Sequence, residues 1–77
     1  MKCFFKNRDE NKIFYGDIMT SYENLQRQSY IDVTNHCDLN GGIDWKNTLL
    51  KSVSKKDILG FYEDIENFKK DYPQYFI

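Results

Sequence analysis

The run Ser54 to Tyr72, SKKDILGFYEDIENFKKDY, restricts the fold more than any other stretch of the chain. Ile58, Phe61, Tyr62, Ile65, Phe68 and Tyr72 recur at the three-and-four spacing of one helical face. Ser54 with Asp57 three residues on fits a capping box. Lys69 and Lys70 fall in the last turn, where cations suit the negative end of the helix dipole, and Pro73 stops the helix. The spacing therefore predicts one amphipathic helix over 54–72. Its aromatic face requires a sheet or a partner to cover it.

The rest of the chain offers strands. Lys2 to Asn7 and Lys12 to Ile18 are rich in aromatic and β-branched residues and flank the polar Arg8-Asp9-Glu10-Asn11, which reads as an N-terminal hairpin. Cys3 and Phe5 share one face, and Lys2, Phe4 and Lys6 the other. Ile13 and Tyr15 oppose Phe14 and Ile18. Apolar groups lie on both faces, so the hairpin is either covered twice or keeps one aromatic face for contact. Thr20 to Gln28 is a polar connection with one helical turn starting at Ser21. Ser29 to Asn35 alternates as a third strand. His36 to Asp44 reads as a loop with a tight Asn40-Gly41-Gly42 turn. Trp45 to Val53 suits a fourth strand, with a short helix as the alternative. The apolar tail Gln74 to Ile77 is expected to dock against the core.

The order β-β-(turn)-β-β-α closes naturally as an α+β fold. It consists of a three- or four-stranded antiparallel sheet packed on the single C-terminal helix, and it forms one domain over 1–77. A chain of 77 residues buries only about 60% of its unfolded surface. The 6 Phe, 6 Tyr and 1 Trp offset this small size, each able to bury on the order of 150–250 Å². A homodimer or a standing partner would add to that burial.

Charge excludes some functions. With 11 basic and 12 acidic residues the net charge is -1, whereas nucleic-acid binders carry a basic excess. No apolar run of ~18 residues spans a membrane. Met1 to Lys6 (MKCFFK) has neither an apolar h-region nor a cleavage site, so a cytoplasmic location is expected. Phe, Tyr, Met, Ile, Asn and Lys, all with AT-rich codons, make up nearly half of the chain, and alanine is absent. That composition points to an AT-rich genome such as a low-GC bacterium or its phages.

Reactive side chains are few. Cys3, His36, Cys37 and Asp38 could in principle hold zinc, but His36 and Cys37 are adjacent and no C-x₂-C or H-x₃-H pair preforms a site. Adjacent residues of an extended chain point to opposite sides, so His36 is poorly placed to activate Cys37. A Cys3–Cys37 disulfide conflicts with a reducing cytoplasm. Asp38-x-Asn40-x-Gly42 starts like a calcium loop, but the sixth and twelfth positions hold Ile43 and Leu49. No phosphate loop, G-x-S-x-G or H-E-x-x-H occurs. The reading is therefore of a protein without catalytic residues, metal or cofactor.

Contact residues come from two groups. Tyr15, Tyr22, Tyr30, Trp45 and Tyr75 lie off the helical stripe, and Tyr and Trp suit protein interfaces. Glu63 and Glu66, with Asn67, form an acidic ridge on the predicted helix. The same charges also serve as an ordinary solvated face, and the same rings as core. The expected function is non-enzymatic protein binding, as in a small phage or mobile-element protein that covers a functional surface of a host protein. An antitoxin or immunity protein fits the same premises. A nucleic-acid module using the hairpin's aromatic face fits less well.

Overall fold

The computed structural model describes residues 1–8, 11–39 and 50–76. Among the described residues five strands form one antiparallel sheet: β1 (Lys2–Asn7), β2 (Lys12–Ile18), β3 (Tyr30–Asp38), β4 (Lys51–Ser54) and β5 (Ile58–Tyr62). Helix α1 (Tyr22–Arg27) links β2 to β3, and α2 (Ile65–Asp71) follows β5. Short 3₁₀ turns occupy Lys55–Asp57 and Pro73–Phe76. The strand order is β4-β3-β2-β1-β5.

That order forces the sheet to curl. Strands β4 and β5 are its two edges, yet only Lys55–Asp57 separates them in sequence. A flat sheet would hold the edges roughly 19 Å apart at ordinary strand spacing. Three linking residues bridge at most about 14 Å. The sheet wraps instead, and Val53 of β4 and Ile58 of β5 meet the same core. Two polar contacts tie the wrapped edge to β1 and its end. Lys51 Nζ donates to Asn7 Oδ1 at 3.2 Å, and Arg8 Nε donates to Asp57 Oδ1 at 2.8 Å.

The inner face carries Cys3, Phe5, Phe14, Ile31, Val33 and Val53, with Ile18, Ile58 and Leu25 of α1 against them. The outer face carries a second apolar layer. Phe4 and Phe68 are both fully buried, and their rings stack at 4.1 Å between centroids. Tyr15 stacks on Phe4 at 5.0 Å, and Tyr72 on Phe68 at 4.8 Å. The hairpin is thus covered on both faces. The tail docks as expected, with the Phe76 ring edge-on to Phe68 at 6.1 Å.

The hairpin has the expected boundaries, and the turn begun at Ser21 is α1, where the Ser21 side chain accepts from the Asn24 N–H. The continuous helix over 54–72 is not formed, and the sheet has five strands rather than three or four. Ser54 ends β4, and its hydroxyl caps only a single 3₁₀ turn. Ile58, Phe61 and Tyr62 lie in a strand, opposite Phe5, Cys3 and Lys2. A helix there would have left the second edge of β1 with unsatisfied N–H and C=O groups beside buried Phe4 and Phe5. Gly60 adds about 1 kcal/mol against the helix. The true start of α2 is Asp64, whose carboxylate accepts from the Asn67 N–H at 2.9 Å. Lys69 and Lys70 do occupy the last turn, and Pro73 follows.

His36, Cys37 and Asp38 belong to β3, not to a loop. The strand continues because a bulge absorbs Asn35, at φ 52°. Tyr15 faces Cys37 and Asp17 faces Thr34, so Gly16 alone opposes Asn35 and His36. The strand over 45–53 is seen as Lys51–Ser54; positions 45–49, the Asn40-Gly41-Gly42 turn and Ile77 lie outside the described residues.

A Cβ on Gly16 would stand 2.6 Å from Val33 Cγ1 and 2.7 Å from the Thr34 carbonyl oxygen. Backbone cannot yield as a side chain can, so Gly16→Ala is expected to cost about 1–3 kcal/mol, read as a lower urea midpoint at unchanged m-value. Phe68→Ala removes the one buried side chain of α2, a truncation that costs about 3–5 kcal/mol where the layer cannot collapse. Hydrogen exchange should then show α2 amides unprotected while β1 to β3 keep their protection.

Candidate functional site

Three surfaces compete for a functional role. The first is the outer aromatic layer, which holds Tyr15. The Tyr15 ring lies on Phe4, with Lys2 Nζ 5.8 Å from its centroid. Its hydroxyl shares a hydrogen bond with the Cys37 thiol across the β2–β3 pair, and that bond, with burial, pushes Tyr15 up to about 12. Lys2 bonds Asp17 at 3.1 Å, which holds the Asp17 carboxyl below its usual range. Tyr62 donates to Asp71 Oδ2 at 2.7 Å and is pushed up to about 12, first by that bond. Tyr72 donates to the Leu59 carbonyl at 3.1 Å. These bonds fasten α2 and its following residue to β5, so most of this layer is engaged in the fold.

The cysteines and the histidine do not converge. Cys3 is buried inside, where burial pushes its thiol up to about 12, far from a reactive thiolate. Cys37 shares the outer face with Tyr15, and both thiols are free. His36 is buried against Phe5 and Phe14, at 6.4 Å and 6.1 Å between ring centroids. Among the described residues no three of His, Cys, Asp or Glu gather as metal ligands do.

The second surface is a set of exposed apolar side chains. Tyr30 is 58% exposed at the start of β3, opposite Ser54 and beside a shallow groove with Gln28, Ser29, Asp32 and Ser52. Met1 is 66%, Met19 58% and Phe61 39% exposed. Strand register collects these three at one end of the sheet, because Lys2 lies between Asp17 of β2 and Tyr62 of β5. Sequence patterning missed Met1, Met19 and Phe61. Phe61 was absorbed into a helical stripe, and only its placement on β5 shows it at an open edge.

The third surface is a cleft of about 450 Å³ at the loop end of the hairpin. Lys6, Arg8, Lys12, Ile13, Asp38 and Tyr75 are among its lining residues. Lys6 and Lys12 flank the hairpin loop in the sequence, which was the available signal. Tyr75 comes from the far end of the chain.

The predicted contact residues that the structure describes lie on several elements. Glu63 and Glu66 are exposed, one just before α2 and one in its first turn. Glu66 also occupies the first helical turn, where a carboxylate suits the positive end of the dipole. Tyr75 lines the cleft, Tyr22 lies on α1, and Trp45 is outside the described residues. No helix among the described residues is long and apolar enough to cross a membrane. Comparison with protein-family models, with curated proteins and with solved structures finds no match.

Tyr62 supplies a pH test. Its hydroxyl titrates near 10 when unfolded and about 12 when folded, so the fold holds the proton more tightly. The resulting stabilisation is complete below the unfolded value and is lost as pH rises towards the folded one. Denaturation midpoints should hold up to about pH 10 and fall as pH rises from there towards about 12, and the fall should be smaller in Tyr62→Phe.

Proposed function

We propose that this chain is a non-enzymatic protein-binding domain, a small phage or mobile-element protein that acts in the host-cell cytoplasm. It inhibits a host protein by covering one of that protein's functional surfaces. The observation that carries the reading is the exposure of Tyr30, Met19, Met1 and Phe61 on a sheet whose two faces are already covered. The inner core and the Phe4–Phe68 layer leave these side chains without an internal role. Large, partly polar or flexible apolar groups on a rigid scaffold are what interface anchors are made of. Tyr30 and Phe61 stand on strand backbone, which lowers the ordering cost on binding. The high share of residue types encoded by AT-rich codons supplies the phage part of the reading.

The test is capture with its own controls. Tagged protein should retain one host protein from a low-GC bacterial lysate at near-stoichiometric yield. Tyr30→Ala or a Met19→Ser/Phe61→Ser double variant should weaken that capture by about tenfold or more, the size of a hot-spot loss, at an unchanged melting temperature. The reading fails if no host yields a specific partner. It fails equally if light scattering shows a homodimer that buries these residues.

A further inference from the structure

We infer that the cleft at the loop end of the hairpin is an anion-binding subsite that receives the carboxylate of an acidic, partly apolar segment of the partner protein. This rests on the protein-binding reading and adds the chemistry of what is bound.

Three cations border the cleft: Lys6, Arg8 and Lys12. Among the described residues Lys6 and Lys12 have no hydrogen-bond or ion-pair partner, although the chain carries 12 acidic against 11 basic residues. The Arg8 guanidinium is held from one side, by Nε donating to Asp57 Oδ1 at 2.8 Å. That bond orients the group and leaves its terminal N–H groups for another acceptor. A planar carboxylate matches such a fork, and charge-assisted bonds of this kind are the strong ones. Ile13 and Tyr75 supply an apolar wall beside the cations. A ligand with a carboxylate next to an aliphatic or aromatic group satisfies both halves of the lining. The volume of about 450 Å³ suits one or two side chains rather than a folded surface.

A nucleic-acid strand is the weaker match. Asp38 lines the same cleft, and Asp57 sits behind Arg8. A backbone with one phosphate per nucleotide would bring repeated negative charge onto these acids. One isolated carboxylate avoids that repulsion.

The experiment uses the full chain labelled with ¹⁵N and, as the probe, a capped nonapeptide with one central Glu flanked by Leu on both sides and Gly and Ser elsewhere. Amide shifts should appear at Lys6, Arg8, Lys12, Ile13 and Tyr75 and shrink at raised salt. Affinity should drop at least about tenfold in a Lys6→Gln/Lys12→Gln variant, with its folded spectrum otherwise preserved. Equal binding of the peptide with Gln in place of Glu would overturn the inference. So would a response of the same amides to adenosine monophosphate or oligo-dT with none to the acidic peptide. If Lys6→Gln/Lys12→Gln still captures the host protein while Tyr30→Ala does not, the protein-binding reading stands and this subsite is rejected.

Discussion

Everything in this fold depends on β1 being paired along both edges and buried on both faces. Cys3 and Phe5 point into the curled sheet, and Phe4 points out under α2. The backbone of β1 bonds β2 on one side and β5 on the other. A strand this apolar cannot tolerate an open edge, because its N–H and C=O groups would be shielded from water without partners. That requirement recruits Ile58–Tyr62 as a strand and thereby shortens the C-terminal helix to seven residues.

The curl follows from the same requirement. Once β5 pairs with β1, the three-residue link from β4 draws the opposite edge inward. The bulge at Asn35 and the bare Gly16 opposite it provide the bend in β3. With the inside closed by Leu25 and the edge residues, a short helix with a single fully buried side chain suffices outside. Phe68 stacks on Phe4, and bonds from Tyr62 and Tyr72 hold the helix at its end.

This distribution of apolar side chains also separates scaffold from surface. Tyr15 supports the outer layer, while Tyr30 has no comparable internal role. The hairpin-end cations and Tyr75 meet only because the C-terminal segment folds back across the sheet. A contact surface gathered from residues 1, 19 and 61, or from 6, 12 and 75, leaves no periodic trace in the chain.

The sequence by itself determined the hairpin, the α1 turn at Ser21, the helix stop at Pro73 and the presence of apolar groups on both faces of the hairpin. These are local matters of alternation, capping and backbone chemistry, readable within a few residues. Tertiary structure decided the state of Ile58–Tyr62, whose spacing fits a helical face and whose pairing partner lies more than fifty residues away. It likewise decided that His36–Asp38 extends β3, since the bulge requires Gly16 across the strand pair. Apolar periodicity says that a side chain must be buried. Only the partner that buries it, here the open edge of β1, says in which conformation.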